Sequence, residues 1–231
     1  MASLHDSDVA TDDTSGTVLS APAIDVTIGD LYIAGVKNEG AQQNLAWVDS
    51  GASTPRLSVG NPYEFHAVNT DLSGGVFWGV ATATGTITLR FNLGAARQFR
   101  KIGVYSFTPT PGYGFRLGRV ASTQQSATAS PSSGAAVADG RCIAVGFFQL
   151  YGSRDLTPGT GWSESAPFNI TSAQQSEYQT PTAGGSLTAD GTLVGGVVDA
   201  ISQLLIIEEI PLFPRSGFRG AFGRRRTRYA I

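Results

Sequence analysis

The chain has 231 residues, of which 41% are hydrophobic and 15% are charged. Its charged fraction lies well below the roughly 25% of an average soluble protein, so Ser, Thr, Gln, Asn and Gly must supply much of the surface polarity. The 29 glycines and 11 prolines disfavour long helices, no apolar run reaches the ~18 residues of a membrane-spanning helix, and the single cysteine, Cys142, excludes an internal disulfide. The composition predicts a soluble β protein.

The first 20 residues are acidic and contain little hydrophobic surface. They include Asp6, Asp8, Asp12 and Asp13, and they lack the apolar run of a secretory signal peptide. We expect residues 1–20 to form a mobile acidic arm that only a partner would order.

Residues 21–210 consist of short apolar runs separated by turn sequences. Ile87, Leu89 and Phe91 alternate with polar neighbours, which is the pattern of a half-buried strand. A helical turn near 194–203 would contain the two glycines of "LVGGVVDA", each of which disfavours a helix. The pattern predicts an all-β fold, an antiparallel β-sandwich. The strand candidates are 30–36, 76–82, 86–92, 101–108, 142–151 and 202–210.

Two polar, low-complexity segments lie within this body, at 122–140 and 171–192. We interpret both as long surface loops or polar outer strands, because Thr and Gln suit an exposed strand face. A weak internal echo also appears: "GDLYIAGV" at 29–36 is similar to "DGRCIAVG" at 139–146, and a tryptophan follows each. The echo suggests two similar strands that face one another.

The last 21 residues, 211–231, form a basic C-terminal arm. The arm carries +6 and no acidic residue, whereas the preceding chain has ten basic against 18 acidic residues and a net charge of −8. Planar guanidinium groups suit carboxylates, phosphates and aromatic faces, and the aromatic residues between them could anchor the arm. We expect it to dock into an acidic groove of a neighbouring protein; nucleic-acid binding and a solubilising tail are the alternatives. The predicted partner-binding residues are Arg215, Phe218, Arg219, Phe222, Arg224, Arg225, Arg226, Arg228 and Tyr229.

The sequence offers few residues suited to catalysis. The chain has no Gly-x-Ser-x-Gly motif and two histidines, His5 and His66, so a triad of His66 with Asp71 or Asp49 and a serine remains only an open alternative. Cys142 begins an apolar run and is expected to be buried. Glu208 and Glu209 are adjacent on a predicted strand and should point to opposite faces.

Metal and cofactor sites are not predicted either. Two distant histidines and one cysteine do not match a zinc motif, and "DSDVATDD" lacks the glycine and final glutamate of a calcium loop. Trp47 and Trp162 lie nearer to loops than Trp78 does, and either could be a stacking platform for a glycan or a lid over the end of the sandwich. We therefore expect no catalytic residue, no metal and no cofactor, with Trp47 and Trp162 as possible glycan-binding residues.

The order of the runs carries a resemblance. "TIGDLYIAGVKNEG", Trp47, "SGGVFWGVATATGTITLRFN", "RQFRKIGVYSFT", "DGRCIAVGFFQLY", Trp162 and "QLLIIEEIPLF" follow one another over about residues 24–213. This progression resembles the β-sandwich domains found in phage virion structural proteins and in some secreted bacterial proteins. The resemblance implies a jelly-roll-like domain that decorates or builds a virion, and it implies no catalytic residue. The C-terminal arm is not part of it.

Together these features predict a non-enzymatic capsid decoration protein that is located in the virion and forms a homo-oligomer. The expected partners are a major capsid protein or another virion protein, with nucleic acid less favoured and no membrane. A glycan-binding fibre-tip or receptor-binding module is one alternative, and a hydrolase with an unrecognised site is another.

Overall fold

A computed structural model of the protein describes residues 1–39, 46–49, 57–59, 63–68, 72–152, 154–164 and 174–212. Side chains are described for these residues except 46–49, 57–59, 63–68, 92, 94, 95 and 164. Regular structure in these ranges is entirely β, which confirms the predicted all-β fold. The same ranges contain no helix with the length and apolar character to cross a membrane.

The strands fall into two consecutive units. The first unit spans residues 1–108 and contains β1 (Ser3–Asp12), β2 (Gly16–Ser20), β3 (Ile24–Val26), β4 (Leu31–Glu39), β5 (Ala46–Asp49), β6 (Leu57–Val59), β7 (Tyr63–Val68), β8 (Leu72–Ala81), β9 (Gly85–Ile87) and β10 (Leu89–Thr108). The second unit spans residues 113–211 and contains β11 (Tyr113–Thr128), β12 (Ser132–Ala138), β13 (Cys142–Leu150), β14 (Asp155–Pro158), β15 (Ser163–Glu164), β16 (Gln174–Gln179), β17 (Gly185–Val194) and β18 (Val198–Pro211).

Strand pairing is nested in both units. In the second unit β11 pairs with β18, β12 with β17 and β13 with β16, all antiparallel. In the first unit β1 pairs with the second half of β10, β2 with its first half, β3 with β9 and β4 with β8. Each unit thus resembles one long hairpin that has been rolled up, with its first and last strands side by side.

Each unit has an inner and an outer group of strands. The inner sheets run in the orders β1-β10-β4-β8-β6, where β7 also pairs with β8, and β11-β18-β13-β16-β15. The outer strands run β2-β10-β5 and β12-β17-β14. β10 belongs to both groups of the first unit: residues 89–97 pair with β2 and β5, and residues 98–108 pair with β1 and β4. Phe99, next to this change of partners, has a φ of 50°. The second unit makes the same change of sheet through the turn at Gly195 and Gly196, whose φ values are 89° and 127°.

Three apolar layers hold the four groups of strands together. One lies inside the first unit and includes Tyr32 and Phe77, and another lies inside the second and includes Phe148 and Leu204. The third lies between the two inner sheets and contains Ile33 and Phe107 from the first unit and Ile143, Phe147 and Leu205 from the second. The inner sheets are therefore covered on both faces, and their central strands β4 and β13 are apolar at consecutive positions.

The two segments of the internal echo are these central strands. Ile33 of β4 and Ile143 of β13 belong to the same apolar layer, and Gly35 of β4 lies directly against the ring of Phe147. The prediction that the two similar strands face one another is confirmed. The limits of a single sandwich domain, residues 21–210, stay a prediction.

The structure corrects the expectation for residues 1–20. They form β1 and β2 rather than a separate arm, and β1 pairs along β10 from Ser3 to Asp12. The acidic side chains attach the segment: Asp12 forms an ion pair with buried Arg100, and Asp6 Oδ2 accepts a hydrogen bond from Asp25 N at 2.9 Å. Low hydrophobicity is compatible with order here because backbone pairing to a free sheet edge and specific carboxylate contacts replace apolar burial.

The two polar segments have different outcomes. Residues 122–140 form the end of β11 and β12 at sheet edges, as polar outer strands. Within 171–192, however, Gln174–Glu177 are buried in an inner sheet. The interpretation of that stretch as surface is wrong, because its polar side chains find partners inside: Ser176 Oγ lies 2.6 Å from Tyr105 Oη, and Gln175 Nε2 donates to Arg154 O at 3.0 Å.

Candidate functional site: a carboxylate clasp and a hydroxyl-lined cleft

A cluster at one end of the molecule joins three separate parts of the chain. Glu209, near the end of β18, accepts hydrogen bonds from the backbone nitrogens of Thr110 at 2.8 Å and Ala2 at 3.4 Å. Arg141 Nε donates to the same carboxylate at 3.3 Å, and Arg141 Nη2 donates to Thr110 Oγ1 at 2.8 Å. We call this cluster the clasp. It joins the N-terminal residues, the link between the units (residues 109–112) and the end of β18.

Glu208 extends the clasp in the opposite direction. Its carboxylate forms an ion pair with Arg116 and accepts a hydrogen bond from Asp139 N at 3.3 Å. The separate partners of Glu208 and Glu209 confirm that adjacent strand residues point to opposite faces. Two carboxylates held apart in this way cannot act as a catalytic pair on one bond.

Both clasp carboxyls have lowered pKa values. The hydrogen bond from Arg116 is the largest influence on the pKa of Glu208 and lowers it, against a smaller opposing effect of burial. For Glu209, burial acts to raise the pKa, but the hydrogen bonds from Thr110 and Ala2 and the charge of Arg141 together outweigh it. The native state therefore favours the ionised form of both groups.

This arrangement predicts an acid-labile clasp. Because the folded-state pKa values lie below the unfolded value of about 4.3, the two carboxylates contribute fully to stability above that pH and lose their contribution as the pH falls through the folded-state values. We expect the free energy of unfolding of the Glu208→Gln/Glu209→Gln variant to fall less than that of the native chain between pH 5 and pH 3. Urea denaturation at a series of pH values measures this, and parallel curves for the two proteins would contradict it.

A second feature, the Trp162 cleft, lies over the outer strands of the second unit. Two adjoining depressions, of about 420 Å³ and 390 Å³, share Thr160 and Asp190. Trp162 lines one of them and also packs partly against the apolar layer of this unit. Gln179 contributes an amide. The hydroxyl-bearing residues that line the two depressions are Ser130, Ser132, Thr160, Ser186, Thr188 and Thr192.

A buried carboxylate supports the cleft from behind. Glu177 is fully buried, and its Oε1 and Oε2 accept hydrogen bonds from Asp190 N at 3.1 Å and Gly159 N at 3.2 Å. A Cβ at position 159 would overlap Asp190 Oδ1, so a glycine at this position leaves room for the Asp190 carboxylate. Asp190 itself is exposed. Glu177 thus fixes the backbone on both sides of the cleft.

The structure reaches only part of the predicted site. Trp162 lies at the cleft. Trp47 is in β5, where its backbone pairs with that of Phe91 in β10, but its side chain lies outside the described part. The predicted residues of the C-terminal arm, from Arg215 to Tyr229, also lie outside the described residues. The same is true of the His66 side chain. His5 lies in β1, and its Nδ1 lies 2.6 Å from Asp30 Oδ2.

Cys142 matches its prediction. It is buried, and burial raises the pKa of its thiol to about 11, so a thiolate nucleophile is disfavoured. Within the described ranges, no three His, Cys, Asp or Glu side chains come together as a possible metal site.

Sequence reasoning missed Asp190, Glu177 and Gly159. Their convergence depends on the pairing of β17 with β14 and the position of β16 behind them. The only local signals are the turn sequence "TPGTGW" at 157–162 and a carboxylate in the otherwise polar stretch at 174–179, and neither indicates a site by itself.

Comparisons with known proteins give no relative: no family model, no curated protein and no solved structure matches the chain.

Proposed function

We propose that the protein is a non-enzymatic structural protein of a phage virion, most specifically a capsid decoration protein. In this proposal many copies add buried interface to a shell and resist its opening. The proposal starts from the sequence resemblance to virion β-sandwich domains, and three properties of the molecule support it.

The position of β18 carries the proposal. This strand pairs with β11 from Val198 to Pro211 and with β13 from Ala200 to Glu208, and the C-terminal arm continues from its end. Hydrogen bonds between antiparallel strands run perpendicular to them. A pull on the arm would therefore load the bonds on both sides of β18 in shear, all at once. Leu212 N also donates to Gly112 O at 2.7 Å, so Leu212, which precedes the arginines of the arm in the chain, is attached to the link between the units.

The nested pairing supports the jelly-roll part of the proposal. Jelly rolls are double-sheet antiparallel folds that occur in viral capsid proteins. In the second unit the first strand pairs with the last and the second with the next-to-last, and in the first unit β1 and β2 pair with the two halves of β10 while β3 pairs with β9 and β4 with β8. Rolling a long antiparallel hairpin would produce such nested pairing. In this proposal the chain is two such rolls stacked through their inner sheets.

Charge supports a protein partner for the arm. The body carries −8 and the arm +6, so the body of another copy, or an acidic surface of the major capsid protein, would complement the arm. This makes a homo-oligomer or a mixed shell contact the favoured assembly, and nucleic acid the less favoured one.

Truncation after Leu212 tests the proposal. We expect the truncated chain to keep the thermal stability of the full chain but to be lost from purified particles, which should then open at lower temperature. A variant with all six arm arginines changed to lysine keeps the charge and serves as the matched control for bidentate guanidinium contacts. Unchanged incorporation and particle stability after truncation would overturn the proposed role of the arm.

A DNA-binding measurement tests the less favoured alternative, in which the partner of the arm is nucleic acid. If the arm binds phosphates, the affinity of the full chain for a DNA duplex should fall steeply with salt, and truncation should abolish this dependence. Strong DNA binding together with no association with capsid protein would favour nucleic acid over a protein partner.

A further inference from the structure

We propose that the Trp162 cleft binds a non-anionic saccharide, neutral or amine-bearing, with the indole of Trp162 as the stacking platform and the Asp190 carboxylate as the acceptor for sugar hydroxyls. This inference does not rest on the proposed virion role.

The chemistry of the lining favours a polyhydroxylated ligand. Each depression lies within the roughly 300–1,000 Å³ of small-molecule sites, but such sites are usually lined mainly by apolar side chains. In the described part of the lining hydroxyls, an amide and a carboxylate predominate, and Trp162 is the one aromatic residue there. A sugar ring has an apolar face for an indole and hydroxyls at its rim for polar groups.

Asp190 determines the charge preference. Among the residues that the structure describes, none donates a hydrogen bond to its carboxylate, which is exposed beside Thr160 and Trp162. Sugar hydroxyls that donate to a carboxylate form charge-assisted hydrogen bonds. The described lining contains no lysine or arginine, so a sialylated, sulfated or phosphorylated glycan would meet repulsion without compensation.

The backbone around the cleft is also preorganised by hydrogen bonds. Glu177 is buried and fixes the backbone of Gly159 and Asp190 on its two sides, while Trp162 N donates to Gly159 O at 3.2 Å. A rigid platform needs little ordering on binding, which favours affinity for a ligand with few apolar groups. The two depressions adjoin at Thr160 and Asp190, so an oligosaccharide rather than a single ring fits the lining best.

A glycan array tests the inference directly. The probes are immobilised neutral oligomers of glucose, galactose, mannose and N-acetylglucosamine, amine-bearing chitosan oligomers, and sialylated and sulfated glycans. We expect binding to at least one neutral or amine-bearing probe. The strongest of these, measured by calorimetry, should bind roughly tenfold more weakly to Trp162→Ala and to Asp190→Asn. Trp162→Phe should keep most of the affinity, because an aromatic face remains.

Tyr151→Ala is the matched control, since Tyr151 is an exposed aromatic residue outside the cleft. This variant should bind the same glycan probe with the affinity of the native chain. Because Trp162 packs partly on the core, Trp162→Ala could fold poorly, and Asp190→Asn at an exposed position then decides. No binding to any probe, binding only to anionic glycans, or full affinity in Asp190→Asn would each overturn the inference.

Discussion

Replacing Gly35 by alanine is expected to lower the free energy of unfolding by about 1–3 kcal/mol. Gly35 lies on β4 between the two inner sheets, where a Cβ would stand 2.8 Å from Phe147 Cγ and closer still to two other ring atoms. Phe147 is fully buried, and its ring packs against that of Tyr105, with centroids 6.0 Å apart. The ring therefore has no free space into which it can move. Urea denaturation of the purified variant measures the loss.

Two further variants make the Gly35 prediction specific to close packing. Gly140→Ala should change stability by less than about 0.5 kcal/mol, because nothing lies within 4 Å of the added Cβ. In a Phe147→Leu background, Gly35→Ala should cost less than in the native chain, so the two changes should not be additive. Additive effects, or equal losses at Gly35 and Gly140, would contradict the contact between the inner sheets.

Replacing Lys37 by methionine is expected to raise stability at pH 7, by an amount on the order of 3 kcal/mol. The Lys37 side chain is fully buried, and its Nζ donates to Glu39 Oε1 at 2.7 Å. Burial lowers the pKa of Lys37 to about 8, against the opposing effect of Glu39. The folded state thus holds a charge that water would solvate better, and methionine of similar shape removes that penalty. The Glu39 carboxylate that loses its partner is 22% exposed, so water can solvate it.

The pH dependence of the Lys37 effect has a definite sign. Below about pH 8 the lysine is charged in both states, so the native chain bears the full penalty. Between about pH 8 and the ordinary lysine value near 10.4, the folded state has lost the proton that the unfolded state retains, and native stability rises with pH. The advantage of Lys37→Met should shrink across this window. Glu39→Gln is the opposing control and should destabilise the chain at pH 7, whereas a pH-independent advantage of Lys37→Met would contradict the assignment.

The strands were largely predictable because their signals are local. The alternation around Ile87, Leu89 and Phe91 appears in β9 and β10, and the continuous run "CIAVGFFQLY" became β13, which is buried on both faces. Residues 194–203 became the end of β17, a glycine turn and the start of β18, as the cost of glycine in a helix suggests.

The sequence is a poorer guide to residues whose partners are distant in the chain. Asp6 and Asp12 appear in sequence as solvated charges, yet Asp25 and Arg100 hold them in place. Gln174–Glu177 appear as surface residues, yet they lie in an inner sheet. Whether such residues are buried or exposed depends on which strand lies beside them, and the pattern of hydrophobicity along the chain does not encode this.

The candidate site shows the same division. Trp162 could be selected from sequence as an aromatic residue near a turn, but Asp190 and Glu177 could not, because β16 and β17 bring them together only after pairing with different strands. By itself, the sequence determined an all-β chain, its main strands and a −8 body followed by a +6 arm, since residue type and period-two alternation suffice for these. The tertiary structure decided the nested pairing and the stacking of two units through a shared apolar layer. It also decided that the N-terminal residues form a paired strand and that Glu177 and Asp190 meet at the cleft. Each of these arises from contacts between residues far apart in the chain, where geometry rather than local pattern fixes which groups meet.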